Sequence, residues 1–380
     1  MAAMHRWSGV DVDIDALRNN VAHIVREVSP RRVWAVVKAN GYGHGAVDAG
    51  RAALDAGAHG LAVALIDEGV ELRAAGIDAP VLVLSEQPSE YLELAVNAGL
   101  EFMVYTESGV TQLDSLATSA GRIVGVHVKV NSGMNRVGVD PTAAVALINL
   151  INECRGIELR AVTTHLAVAD EPAHKGTSEQ LERLNEVLQQ LEQRPAVHVA
   201  NSATTLTRPD AWCDEVRVGI ACYGIDPSTE VQLDRAVFRQ CIRWWAKVSF
   251  VHEVAAGEHV SYGWRHEVKQ RTRLATVPVG YADGVPRRWS SVGGEVLING
   301  RRRPVVGVVT MDQLIVDIGL DDGTDAVDIG TEVVLIGEQG RATITVEEWA
   351  DRLDTIGYEI VCQIGSRVPR RVVGSARNDS

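Results

Sequence analysis

Lysine is scarce in this chain. Five of its 37 basic residues are lysines and the rest are arginines, so each lysine stands out against a background that otherwise prefers a guanidinium. Positive charge as a whole is short too. The 50 acidic residues give a formal net charge of −13, which argues against a nucleic-acid partner, because phosphate binding needs a basic surface. Cysteine pairs are missing as well. Cys154, Cys213, Cys222, Cys241 and Cys362 are odd in number and without CxxC spacing, so neither a disulfide framework nor a zinc site is indicated, and no metal is expected. No stretch approaches the roughly 20 apolar residues of a membrane helix, and Met1 to Val10 has no long apolar core. These absences lead to the expectation of a cytoplasmic protein with a small-molecule substrate and no membrane partner.

What the chain does have is glycine and a rhythm. With 380 residues, 46% hydrophobic content and 35 glycines it can bury one large core or two moderate ones, and two domains are expected. Val10 to Ile14 reads as a short strand and Asp15 to Val28 as a helix with Asp15 as N-cap. Apolar runs then recur at 33–38, 61–65, 81–84, 101–105, 123–130, 159–165, 196–200 and 215–219, separated by amphipathic segments such as Ser108 to Leu116 and Pro141 to Cys154. Eight near-continuously apolar strands alternating with helices point to an α/β fold, a (β/α)8 barrel covered on both faces. An open doubly wound sheet is the competing architecture, and periodicity alone does not exclude it. After about Leu233 the texture turns to short β runs between Gly, Asn and Asp, with Thr345 to Leu353 the one secure helix. The expected organisation is a barrel over 11–233, a mostly β C-terminal domain over 234–375 joined by residues 1–10, and a disordered tail at 376–380.

In a parallel barrel reactive groups collect where the strands end. The first run, Val33-Trp-Ala-Val-Val-Lys38, ends on a lysine, and a glycine-rich turn carrying Tyr42 follows. An amine beside buried hydrophobes suits imine formation, since desolvation raises its neutral fraction. The fifth run ends on Lys129, before Asn131-Ser-Gly-Met-Asn-Arg136; the sixth ends on His165; the seventh runs into Asn201-Ser202; the eighth carries Arg217 before Gly219-Ile220. Singly, each has an ordinary explanation as a snorkelling lysine, a core histidine, an N-cap or a surface arginine. Together they change the reading, because a hydroxyl after the seventh strand and backbone N–H groups after the eighth form the recurrent phosphate site of such barrels. In the β half, only Tyr262 beside Gly263 attracts attention on chemical grounds.

Along about residues 7 to 371 the chain closely resembles the alanine racemase family. The resemblance is carried by the lysine motif, the Lys129 to Arg136 segment, His165-Leu-Ala, Ala200-Asn-Ser202, Arg217-Val-Gly219-Ile220, Ser261-Tyr262-Gly263, Gly280-Tyr281-Ala-Asp-Gly, Met311-Asp312 and Tyr358-Glu. It implies a homodimer in which each barrel is completed by the partner's β domain, with pyridoxal 5'-phosphate as cofactor and a small amino acid as substrate. Lys38 would hold the cofactor covalently, and Tyr42, Asn201, Ser202, Gly219, Ile220 and Tyr358 would hold it around its phosphate. Arg136, oriented by Lys129, would face its phenolic oxygen; in many relatives that lysine is carbamylated. Arg136, Tyr281, Thr310, Met311 and Asp312 would line the substrate.

Racemisation requires an acid/base group on each face of the substrate Cα. The resemblance assigns these to Lys38 and to Tyr262 of the partner subunit. A free tyrosine has a pKa near 10, so bringing it close to 7 takes on the order of 4 kcal/mol, and His165 backed by Arg217 would supply the positive field. Arg217, with His198 as its neighbour, would also face the pyridine nitrogen and make the ring a weaker electron sink than an aspartate partner does. The implied activity is interconversion of L- and D-alanine, supplying D-alanine for cell-wall synthesis. Two departures touch the entrance. Relatives usually carry Arg-Ile/Val-Cys-Met-Asp where this chain has Val308-Val-Thr310-Met311-Asp312, and Trp264 follows Tyr262-Gly263 where a smaller or more polar residue is frequent. The alternatives are therefore a racemase of serine or another amino acid, a retro-aldol enzyme on the same scaffold, or a non-catalytic pyridoxal-phosphate carrier. Retention of Lys38 and Tyr262 favours two-base racemisation over one-sided chemistry, and the β half argues against the carrier.

Overall fold

The computed structural model describes residues 6–320 and 325–374, so the tail expected at 376–380 lies outside the described residues. The chain divides into two compact units, Ala16–Arg239 and the described residues on either side of it. Strand β1 (Ser8–Asp13) belongs to the second of these.

The unit Ala16–Arg239 is a closed parallel barrel of eight strands: β2 (Arg32–Val36), β3 (Gly60–Val63), β4 (Val81–Val83), β5 (Glu101–Val104), β6 (Val124–Lys129), β7 (Ile157–Thr163), β8 (Ala196–His198) and β9 (Glu215–Val218). It closes where β2 meets β9, with Arg32 opposite Glu215 and Ala35 opposite Val218. Strands β3, β4, β6 and β9 are buried at every position, as expected for strands with side chains inside the barrel and helices outside it. The helices start where their chemistry allows. Thr106 caps Glu107–Ser119 by accepting from Gly109 N–H, and Asp140 caps Pro141–Glu153, whose proline occupies the first turn, where no N–H is needed. Asp15 is not an N-cap; it lies inside the first turn of Ile14–Val28.

The second unit is built on a sheet in which β1 is paired on both sides. Its other strands are β10 (Ile242–Lys247), β11 (Phe250–Val254), β12 (His259–Val260), β13 (His266–Glu267), β14 (Thr272–Val277), β15 (Glu295–Ile298), β16 (Arg301–Val306), β17 (Leu314–Asp317), β18 (Glu332–Gln339), β19 (Ala342–Ile344) and β20 (Arg370–Val373). The order is β11-β14-β17-β16-β15-β18-β10-β1-β20, with β19 on β18 and a separate β12–β13 ribbon. The run Ile242 to Val254 is two strands rather than one, broken at Val248-Ser249. A second helix, Gly357–Gln363, follows the expected Val346–Leu353 and carries Tyr358. Trp349 anchors the first of these helices, its ring 4.1 Å from Trp289 and 5.8 Å from Trp244 between centroids, and all three indoles are fully buried. No helix among the described residues is long and apolar enough to cross a membrane.

Candidate active site

Lys38 does not end a strand. β2 stops at Val36, and Lys38 opens a turn in which Ala39, Asn40, Gly41 and Tyr42 all have φ between 51° and 61°. Only glycine takes this left-handed conformation freely; other residues pay roughly 1–2 kcal/mol each. The turn is held by its surroundings. Glu68 Oε1 accepts from Ala39 N–H at 2.6 Å, Asn40 Oδ1 accepts from Ala46 N–H at 3.0 Å, and Asn40 O accepts from Gly45 N–H at 2.8 Å. Backbone strain of this size persists where the surrounding structure over-determines it, and such places are often functional.

The same turn brings Tyr42 against the end of β9. A Cβ added to Gly219 would lie 2.9 Å from Tyr42 Cζ and closer still to the phenol oxygen, so only glycine fits there. Ser202 Oγ accepts from Gly219 N–H at 3.0 Å and from Ala221 N–H at 3.4 Å, which leaves its own hydrogen to be donated. Ile220 begins a short 3-10 turn, Ile220–Tyr223, and Ser202 begins the helix Ser202–Thr207, so two sets of leading N–H groups meet two hydroxyls and a bare backbone. That donor set fits a phosphate monoester. Asn201 has a supporting part: its Oδ1 caps the helix, accepting from Thr204 N–H at 3.0 Å and Thr204 Oγ1 at 3.1 Å.

Behind the cradle lies a buried polar line. Arg217 Nη1 donates to His198 Nδ1 at 2.6 Å, and Arg217 Nη2 approaches His165 Nδ1 at 3.4 Å. His198 Nε2 is 2.7 Å from His127 Nδ1, and His127 Nε2 is 3.0 Å from Glu101 Oε2. Arg217 also donates to the carbonyls of Thr164, His198 and Val199, so the guanidinium is clamped in one orientation. Burial brings its pKa down to about 10. Burial, then the charge of Arg217, pushes both His165 and His198 well below the usual histidine range. Lys129, the last residue of β6, is brought down to about 8 by burial and by the neighbouring charges of Arg217, Arg136 and Lys38. The barrel thus gathers Lys38, Lys129, Arg136, His165 and Arg217 into one electrostatic cluster. His127 and Glu101 were not singled out from sequence. The signal for His127 was its spacing of two from Lys129, which puts both on one face of β6.

The remaining sequence candidates lie in the β unit, Tyr358 among them. Tyr262, Tyr281, Arg287, Thr310, Met311 and Asp312 border a cleft of about 560 Å³. Tyr262 is 72% exposed, on a tight turn whose Ser261 takes φ 63° and donates from Oγ to Val308 O at 2.7 Å. Trp264 stacks on His259. Tyr281 and Ala282 N–H donate to the carbonyls of Thr310 and Met311, both at 3.0 Å, and Gly280 permits that approach because a Cβ there would strike those same carbonyls. The Thr310 hydroxyl is engaged with the Gln313 backbone, and Asp312 accepts from Arg367 Nη2 at 2.7 Å. Among the described residues no group of three or more His, Cys, Asp or Glu side chains is arranged to hold a metal ion.

The barrel and its mouth define an enzyme of the class that keeps a lysine amine and a phosphate cradle at the C-terminal ends of parallel strands. Residues 12–227 match the alanine racemase N-terminal domain and residues 241–372 the alanine racemase C-terminal domain. The alanine racemase of Symbiobacterium thermophilum is 44% identical over 369 residues, 96% of this chain and 97% of that one. The structure of the E. faecalis alanine racemase superposes with a TM-score of 0.92 at 34% identity, covering 98% of this chain and 99% of that one. That of the Bartonella henselae alanine racemase, with covalently bound pyridoxal phosphate, gives 0.87 at 28% identity over 96% and 99%. The chain belongs to the alanine racemase family.

Proposed function

We propose that this protein interconverts L- and D-alanine with pyridoxal 5'-phosphate, as a homodimer whose sites are shared between subunits. The observation that carries the reading is the strained turn that presents the Lys38 amine from the same few residues that build the Tyr42–Ser202–Gly219 cradle. In this reading Tyr42, Ser202, Gly219, Ile220 and Tyr358 hold the cofactor phosphate, Asn201 fixes Ser202, and Lys38 anchors the cofactor. When bound, the cofactor supplies an electron sink that acidifies the substrate Cα–H.

The chain's own groups then move protons. Lys38 Nζ takes or returns a proton on one face of Cα, and the phenol oxygen of Tyr262 of the partner subunit does so on the other. His165 gives that phenol a neutral imidazole neighbour backed by the fixed charge of Arg217. Arg217 is a donor and does not readily surrender its proton, which favours brief, reversible proton exchange. Arg136, oriented by Lys129, faces the reacting end, and Tyr281, Thr310, Met311 and Asp312 of the partner subunit bound the small substrate.

The test is proton exchange in deuterated water, followed by NMR with L-alanine and cofactor-loaded protein. Deuterium at Cα with appearance of D-alanine is expected, and loss of L-to-D turnover in both Lys38→Ala and Tyr262→Phe. Mixing these two inactive chains distinguishes shared from self-contained sites. Random re-pairing makes one intact site in half of the dimers and should restore about a quarter of wild-type turnover. No recovery on mixing removes the shared-site reading; no exchange in the wild type removes the racemase reading.

A further inference from the structure

An eight-stranded parallel barrel is ordinarily filled by layers of branched apolar side chains. Here a line of hydrogen bonds crosses that core, from Glu101 at the start of β5 through His127 in β6 and His198 at the end of β8 to Arg217 in β9. Its two ends each have one available role. A guanidinium only donates, so His198 Nδ1 accepts from Arg217; an ionised carboxylate only accepts, so His127 Nε2 donates to Glu101. The middle link therefore has one polarity, with His198 Nε2–H donating to His127 Nδ1. His165 Nδ1 faces Arg217 Nη2 and accepts likewise, which leaves its hydrogen on Nε2. Reversing the central link would set an N–H of His198 against an N–H of Arg217 at 2.6 Å, in a site where all three residues of that half are buried.

We propose that Glu101 and His127 are positioning residues of the site at the barrel mouth. Through this one-way line they hold His198 and His165 neutral with hydrogen on Nε2, and the Glu101 carboxylate sets a negative charge at the end of the line opposite Arg217. The consequence for turnover rests on the racemase reading; the tautomers do not. A second proton on His127 would have to sit on Nδ1, opposite the N–H of His198.

Glu215 at the foot of β9, paired with Arg32 at 2.5 Å and accepting from Trp34 Nε1 at 2.6 Å, also lends its charge to Arg217. Arg160 and His59 act on Glu101, and Arg73 feels it; Lys38, Lys129 and Arg136 act at the mouth. Burial works to raise the Glu101 pKa, but the His127 hydrogen bond, with the charges around it, outweighs this and keeps the group low and ionised.

Nitrogen-15-labelled histidine, read by NMR in cofactor-free and cofactor-loaded protein, tests the line directly. His198 and His165 should each keep a protonated Nε2 and bare Nδ1 from about pH 5 to 8, the interval in which an unconstrained histidine changes charge, and His127 should show its hydrogen on Nε2. A bare Nε2 on His127, or ordinary titration of His198 or His165, overturns the proposal. Glu101→Gln supplies the second arm, since it keeps the acceptor oxygen and removes the charge. A unit charge on the order of 12 Å away at an effective dielectric of about 20 moves a proton equilibrium by about one unit. The pH profile of kcat/KM should therefore shift down by about one unit in Glu101→Gln, and Glu101→Asp should return it to the wild-type position. A profile that is lowered but not shifted makes Glu101 a fold residue and overturns the proposal. If the wild type racemises nothing, the functional reading fails, and the histidine spectra still decide the tautomers.

Discussion

Replacing Gly219 by alanine probes the phosphate cradle with one methyl group. The backbone is no obstacle, since φ at Gly219 is −112°. The obstacle is Tyr42, whose Cζ would lie 2.9 Å from the new Cβ, where ordinary contact begins at 3.4 Å. Tyr42 has little room to retreat. Its ring is buried against Tyr223, 5.2 Å between centroids, and Tyr223 is fixed in turn by its hydroxyl donating to Val36 O at 3.1 Å. Overpacking of this kind costs about 1–3 kcal/mol. For a domain of this size that lowers Tm by roughly 2–12 °C. If the same movement withdraws the Tyr42 hydroxyl from the phosphate, the cofactor dissociation constant rises by about 5- to 150-fold. Thermal denaturation and cofactor titration by absorbance measure the two effects. Tyr42→Phe removes the closest contact, so the double variant should be more stable than the sum of the single losses by about 0.5 kcal/mol or more. Strictly additive stabilities, with cofactor affinity unchanged in Gly219→Ala, would refute both the clash and the placement of the phosphate.

Two further outcomes follow from the buried basic groups. His165 and His198 are held below their ordinary range, by burial first and Arg217 second, so between their folded values and about pH 6.5 the unfolded chain binds more protons than the folded one. Their contribution to stability is therefore complete above about pH 6.5 and is lost as the pH falls below it, with a slope of up to about 1.4 kcal/mol per pH unit for each histidine. Urea denaturation across that range measures it; a flat response, or one unchanged in His198→Gln, contradicts the argument. Lys129, with a pKa of about 8, has an appreciable neutral fraction in mild alkali and should take up carbon dioxide as a carbamate. A carbon-13 carbamate signal from labelled bicarbonate should grow as the pH rises through 8 and vanish in Lys129→Met, and persistence in that variant would assign it elsewhere.

The barrel was legible because its strands are buried on both faces, and the runs at 61–65 and 81–84 have no polar residue to confuse the pattern. β16 was not, for the opposite reason: Arg301-Arg-Arg-Pro304 places arginines on a solvent face, and pairing with β15 and β17, rather than hydrophobicity, makes it a strand. The turn after β2 was legible as a turn but not as a left-handed one. Ala39 and Tyr42 have no intrinsic preference for positive φ, and the side chain that helps impose it on Ala39, Glu68, comes from another helix. The chemistry of single residues showed better than their couplings. His165 and Arg217 could be picked by where they follow strands, whereas the Glu101–His127–His198 line depends on three strands arriving at matched heights, which no local pattern records.

Strand β1 has a consequence for how the molecule is made. Its residues leave the ribosome before those of every other described strand, yet its sheet neighbours are β10, at 242–247, and β20, at 370–373. All eight barrel strands are translated while β1 has neither neighbour, so a barrel that folds as it emerges must do so with an orphan strand tethered to its first helix. That strand carries unpaired backbone on both edges until residues 242–247 emerge, and on one edge until 370–373 do, a template for wrong pairing with another nascent chain. Its Asp11, which ends up ion-paired with Arg371 across the parallel ladder, puts a charge on the strand during the wait. The slower the passage from residue 13 to residue 242, the longer that template stays open.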